Sequence, residues 1–270
     1  MKLWYQSLAR ETESTPYGKR LKAVLERIVD PGTHIHLQGV RGAAAIGVQY
    51  RAMAHYDMRD VITNAIQAEK EGYDAFMVGN ISDYGLREAR EMVNIPILGL
   101  CETSVHMASI MGANFGFVGI SPKWSQMLHE NVARYGLSTR MVAIEPVDTT
   151  PLQLKVAMHD DDYLKVVMAQ FNAAAQKLVD KGAEVVIPAG GNLMVVFAEQ
   201  GINQFGNAPI LSGIIEMVKM AETAVKLHRL TGRFTSKALS YAPPTGDYLE
   251  RVHHYYGNEF YPSAKPWIKP

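Results

Sequence analysis

The chain has 270 residues, 47% of them hydrophobic, enough to bury one large core or two smaller ones. Lysine plus arginine and aspartate plus glutamate each total 27, so no basic excess is there to hold a nucleic acid or an anionic membrane, and neither is expected as a partner. One cysteine excludes an intrachain disulfide, Met1 to Gln6 lacks a signal-peptide run, and no apolar stretch reaches the roughly 20 residues of a membrane span; a cytoplasmic protein is expected.

In chain order, Leu3 to Gln6 reads as a short strand, and Leu21, Val24, Leu25 and Ile28 give Tyr17 to Ile28 a helical spacing that ends at Asp30-Pro31-Gly32. His34 to Val40 alternates as a strand. A helix over Val61 to Glu71 is closed by Gly72 and followed by the buried strand Ala75 to Val78. Then come a helix near Gly85 to Met92, strand Ile97 to Gly99, helix Thr103 to Met111, strand Phe115 to Ile120, helix Lys123 to Tyr135 and strand Met141 to Ile144. Glu145 to Asp162 is polar, a helix spans Tyr163 to Lys181, Val185 to Ile187 is a strand, and a last helix covers Ile214 to Thr231. Short apolar strands alternating with helices predict an α/β fold with parallel sheet covered on both faces.

The chain also echoes itself. Glu71-Gly72-Tyr73-Asp74-Ala75-Phe76-Met77-Val78-Gly79-Asn80 returns as Lys181-Gly182-Ala183-Glu184-Val185-Val186-Ile187-Pro188-Ala189-Gly190, and Ile95-Pro96-Ile97-Leu98 as Ala208-Pro209-Ile210-Leu211. Two pseudo-symmetric halves are expected, the first from residues 1–112 and 213–231, the second from 113–212. In open α/β sheets ligands bind beyond the carboxyl ends of the strands, so the active site is expected in the cleft between the halves, around Asn80 and Gly190. Residues 232–270 hold five tyrosines, Trp267 and five prolines, and read as an extended arm that wraps a neighbouring subunit or domain, which makes a homo-oligomer the expected assembly.

Val78-Gly79-Asn80-Ile81-Ser82-Asp83-Tyr84-Gly85-Leu86, followed by Ile95-Pro96-Ile97-Leu98-Gly99-Leu100-Cys101-Glu102-Thr103-Ser104-Val105-His106, resembles the aspartate/glutamate/hydantoin racemase superfamily, the hydantoin branch most of all. The resemblance runs from about Leu3 to Leu230. It implies cofactor-independent chemistry at an acidic carbon, with two cysteines facing each other across the substrate. The first would stand at Asn80 and the second at or next to Gly190. Both thiols are missing, and neither an amide nor a glycine shuttles a proton, so two-thiol racemisation at these positions is excluded.

The remaining candidates carry competing readings. Cys101 lies between a strand and a helix N-terminus, where it is either a tuned thiol or a small apolar filler. Glu102 is an acid or base, or a favourable charge in the first helical turn. Thr103 and Ser104 donate to a substrate carboxylate or cap the helix. His106 is expected to fill a gap in the core. Asn80, Ser82, Asp83 and Tyr84 form a polar group at the strand end, where Asn80 and Ser82 bind substrate and Tyr84 donates a proton, or the group shapes a turn. Gly190, Gly191 and Asn192 offer unobstructed NH groups for an anion, and Tyr5 and Gln6 end the first strand, where an aromatic substrate would stack on the tyrosine. His34 and His36 share a strand face without a third metal ligand, and no metal or cofactor is expected.

Together these predict an isomerase or lyase that passes a small carboxylate, imide or cyclic amide through an enolate or oxyanion, with Cys101, Glu102 or Tyr84 moving the proton. A hydrolase that opens a cyclic amide and a catalytically silent binding protein are the alternatives.

Overall fold

The computed structural model describes residues 1–10, 15–42 and 49–264. Its first strand, β1 (Lys2–Arg10), is buried along most of its length because both faces are covered. Thr15 then caps α1 (Pro16–Ile28), its hydroxyl accepting the Gly18 NH at 3.1 Å. The chain continues through β2 (His34–Val40), α2 (Arg51–Lys70), β3 (Ala75–Val78), α3 (Leu86–Met92), β4 (Ile97–Gly99) and α4 (Leu100–Met111). The four strands form one parallel sheet in the order β2-β1-β3-β4, with Gln6 level with Gln38 on one side and Val78 on the other.

The second half repeats the scheme with β5 (Phe115–Gly119), α5 (Pro122–Arg134), β6 (Met141–Pro146), α6 (Pro151–Ala157), α7 (Asp161–Asp180), β7 (Val185–Pro188) and α8 (Gly191–Gln200). Its strands lie parallel in the order β6-β5-β7, and Ile210 adds a parallel bridge to Val186. A small antiparallel pair, β8 (Gln204–Phe205) and β9 (Ala208–Pro209), precedes α9 (Ile214–Thr231), which packs back on β3 and β4. The fold is α/β with two parallel sheets, as the alternation of strands and helices implied. Among the described residues no helix is long and apolar enough to cross a membrane.

Several segments differ from the sequence reading: β1 runs on to Arg10, and α8, β8 and β9 lie where no element was read. Helix α2 starts ten residues earlier than the apolar spacing suggested, because its first three turns interleave charged and apolar side chains, leave Met53 and Tyr56 exposed and bury little. The polar stretch 145–162 contains α6. The supposed extended arm folds into α10 (Asp247–Tyr256) and lies against its own first half. There Lys237 Nζ donates to the carbonyls of Glu91 at 2.9 Å and Val93 at 2.8 Å, closing the C-terminus of α3 with a cation, and Ser263 Oγ donates to Glu69 at 2.7 Å. Trp267 lies outside the described residues.

Candidate functional site

The carboxyl ends of both sheets face one seam, where side chains from one half reach the other. Asn131 of α5 donates to the carbonyls of Ile81 at 3.3 Å and Ser82 at 3.0 Å. Tyr135 donates to Asp83 at 2.6 Å, and Arg20 of α1 pairs with Glu199 of α8.

Two glycines shape the centre of this seam. Gly79 ends β3 immediately before Asn80, and a Cβ there would fall inside the ring of Tyr5, 2.6 Å from its hydroxyl. Gly191 opens α8, and a Cβ there would lie 2.8 Å from the hydroxyl of Tyr17. Each absent side chain therefore admits a phenol. Tyr5 is fully buried and, among the described residues, its hydroxyl has no hydrogen-bond partner. Ser7 lies beside the Tyr17 phenol. Burial pushes both phenols up, with Tyr17 adding to the effect on Tyr5, so both stay protonated at neutral pH and act as donors, not bases.

Asn80 stands at the end of β3, where its Oδ1 accepts from the NH of Ser82 at 2.9 Å and from the Ser82 hydroxyl. The two form a side-chain turn, and Ser82 is buried. Next to them Asp83, at a positive φ of 52°, carries out a long-range helix cap: its carboxylate accepts the NH groups of Cys101 at 3.0 Å and Glu102 at 2.8 Å, besides the Tyr135 hydroxyl. Burial lifts its pKa to about 7 against the pull of these three donors. A Cβ at Gly99 would stand 2.8 Å from this carboxylate, so β4 ends in glycine to let it through.

The residues after β4 turn to structural partners. Cys101 is fully buried, and its thiol is pushed up by burial and by the neighbouring Asp83 charge, so no thiolate is ready at neutral pH. Glu102 forms a two-pronged pair with Arg90, whose guanidinium also holds the Ile97 carbonyl at 2.9 Å. Thr103 and Ser104 are buried, and the Ser104 hydroxyl donates back to the Leu100 carbonyl at 2.6 Å. His106 is exposed, not a core filler, with its ring 6.2 Å from that of Tyr135.

At β1 the amide of Gln6 is spent inside the protein: Oε1 accepts from Asn64 at 2.8 Å and Nε2 donates to the Ser7 carbonyl at 2.9 Å. Tyr5 offers no face for stacking, because Gly79 lies against its ring. Tyr84 is half-buried and lines a pocket of about 120 Å³ with Arg51, Lys123 and Trp124. On the opposite side Gly190 has φ 143° and leaves room for Ile120, and Gly191 and Asn192 begin α8 partly exposed, their NH groups in the first helical turn. His36 packs edge-on against Trp4, with ring centroids 4.5 Å apart.

The structure thus sets Tyr5 against Gly79, next to Asn80 and Ser82, and Tyr17 against Gly191 at the start of α8. Nothing in the local pattern around Tyr17 marks it as more than a helix start; the signal was a glycine beside each of the two positions singled out, Gly79 and Gly191.

Comparison with known proteins fits this architecture. A family model described as Asp/Glu/Hydantoin racemase matches residues 14–221. The hydantoin racemase of Paenarthrobacter aurescens is 31% identical over 224 residues, 82% of this chain and 89% of that one. The hydantoin racemase of Pseudomonas sp. (strain NS671) is 30% identical over 201 residues, 74% of this chain and 76% of that one. Among solved structures, an allantoin racemase from Klebsiella pneumoniae superposes with a TM-score of 0.78 at 21% identity, covering 92% of this chain and 95% of that one, which supports the fold.

Proposed function

Because the chain belongs to the Asp/Glu/hydantoin racemase family, we propose that it is a cofactor-independent isomerase or lyase acting on a small cyclic amide or carboxylate held at the seam between the halves. The activities for which its relatives are named, hydantoin and allantoin racemisation, involve a carbon made acidic by a neighbouring carbonyl. Loss of a proton or a carboxylate from such a carbon leaves charge on that carbonyl oxygen. A site serving either reaction must stabilise the same enolate.

The observation that carries this reading is the makeup of the seam. Where the family resemblance puts thiols, this chain has Asn80 and a glycine turn, surrounded by phenols and the N-terminal NH groups of α8. Those are hydrogen-bond donors for a developing oxyanion. Cys101 and Glu102 are committed to burial and to Arg90, which leaves Tyr84 or a water at the pocket mouth as the proton donor to carbon. Decarboxylation or elimination needs one such donor, whereas racemisation needs proton transfer on two faces, so a lyase or one-sided isomerase suits the donors better. A homo-oligomer belongs to the same proposal: α10 buries none of its residues, and Tyr248, Tyr255 and Tyr256 stand exposed on it.

The test is incubation of the purified protein in deuterated water with hydantoins, allantoin, substituted malonates and unsaturated diacids, each followed by NMR. Deuterium entering substrate or product at carbon is expected, and Cys101→Ala should retain it. Ring-opened product without deuterium at carbon would overturn the reading.

A further inference from the structure

Tyr5 presents a puzzle in energetic terms. A fully buried phenol normally finds a partner for its hydroxyl, since an unpaired buried hydroxyl is costly. Here the hydroxyl is shielded from solvent and unpaired among the described residues, although Phe would fill the same space. Gly79 has been kept bare to seat the ring, and the hydroxyl lies beside its Cα, one residue before Asn80. Tyr17, on α1 of the same half, reaches across the seam: its hydroxyl lies at the first residue of α8, and it is close enough to raise the pKa of Tyr5. Two elements of one half thus direct phenols at the strand end and helix start where the proposed substrate would sit.

We propose that the hydroxyls of Tyr5 and Tyr17, backed by the NH groups opening α8, are a paired donor site for one planar oxygen of the substrate, a carbonyl that becomes an enolate oxygen or one oxygen of a carboxylate. This rests on the reading of the seam as the reaction site and names what holds the developing charge there. The orphaned hydroxyl of Tyr5 is the independent observation, because a helix N-terminus alone would hold any anion weakly. Both phenols remain neutral donors, so they stabilise charge and take no proton. The oxygen bound first by Tyr17, which is only partly buried, completes the hydrogen bonding of Tyr5 behind it. The ligand class that follows is a flat acceptor with an acidic carbon next to the bound carbonyl.

Tyr5→Phe and Tyr17→Phe test this, since each keeps the ring that fills its glycine notch and removes only the donor. Two readouts are needed: deuterium exchange or turnover on the compound panel, and the infrared carbonyl stretch of carbonyl-13C hydantoin and of carboxyl-13C malonate bound to the protein. In the wild type the stretch of at least one probe should fall on binding. In each variant it should move back toward its solution value, and kcat should fall roughly 10²-fold per hydroxyl, the usual scale for one oxyanion donor, with KM changed less than about threefold. Folded variants that keep both the wild-type kcat and the wild-type stretch would overturn the proposal, and so would a loss of kcat with the stretch unmoved. A wild type whose stretch shifts through these phenols while no compound exchanges deuterium would support the donor site and defeat the proposed reaction. Neither shift nor exchange in the wild type would defeat both.

Discussion

Removing the Tyr5 hydroxyl should make the protein more stable. The residue is fully buried, the ring contacts persist in Phe, and the deleted oxygen has no partner to lose. An unsatisfied buried polar group costs about 1–3 kcal/mol, and the packing lost with one oxygen offsets only a little of that. Tyr5→Phe is therefore expected to gain about 1–2 kcal/mol, which for a chain of this size raises Tm by about 2–8 °C. Urea denaturation should show a higher midpoint with an unchanged m-value, because the surface exposed on unfolding stays the same. The gain should shrink or reverse when a substrate-like carbonyl saturates the site, since the hydroxyl then has an acceptor and ligand binding favours the wild type. A companion change separates ring from hydroxyl: Gly79→Ala drives a methyl into the Tyr5 ring and should destabilise by about 1–3 kcal/mol, whether residue 5 is Tyr or Phe. A Tyr5→Phe protein as stable as wild type or less so, in the absence of ligand, would refute the claim that the hydroxyl is orphaned.

Stability should also depend on pH through Asp83. Its carboxyl titrates at about 7 in the folded protein, above its ordinary 3.8, so between those values the folded state holds a proton the unfolded chain has lost. The contribution is therefore full below the ordinary value and is lost as pH rises through about 7, by up to roughly 4 kcal/mol at 1.36 kcal/mol per unit. Urea midpoints measured from pH 5 to 8 should fall in the wild type and lose that component in Asp83→Asn; parallel profiles would contradict the assignment. Glu102→Gln should leave Arg90 half-buried with only neutral partners and cost about 1–3 kcal/mol in thermal unfolding, while changing turnover less than about threefold. A loss of activity beyond about tenfold in a folded Glu102→Gln protein would return Glu102 to the reaction.

The strands of the two parallel sheets were legible because most are short apolar runs closed by a glycine or a helix boundary, whereas the two-residue strands β8 and β9 are too short to carry a pattern. Helices without a buried stripe were not legible. Residues 51–60 mix charged with apolar side chains and bury only Ala54, Asp57 and Asp60, so α2 does not announce its start, whereas α10 does carry a helical spacing in Tyr248, Leu249, Val252, Tyr255 and Tyr256 that the surrounding prolines and tyrosines masked. The site was legible as a place but not as a set of contacts. Asn80 and Gly190 follow from the echo and the resemblance, yet Tyr17 meets Gly191 only once the two halves are assembled, and no local spacing encodes that meeting. The same holds for Asp83, which reads as a turn residue but caps a helix that begins beyond the next strand. Glu102 illustrates the reverse: a first-turn acid invites a catalytic reading until Arg90 is seen beside it.

Backbone geometry also decides which position opposite Asn80 could carry a thiol. Gly190 has φ 143°, where residues with a side chain are strained, and a Cβ there would strike Ile120. Ala189, one residue earlier, is buried, already carries a Cβ and lacks a positive φ. If the seam retains the family's arrangement of substrate, Asn80→Cys with Ala189→Cys should return proton transfer to both faces. An enantiopure 5-substituted hydantoin in deuterated water should then lose optical activity and gain deuterium together. Asn80→Cys alone supplies a base on one side only, and should run at least about tenfold slower than the pair, because the two thiols act as a unit and their effects do not add. Asn80→Cys paired with Gly190→Cys should gain nothing over the single change, since the second side chain has to displace Ile120 before it can face the substrate. Equal racemisation by the two double variants would mean that the turn after β7 relaxes freely, and the glycine at 190 would then have no steric reason to be there.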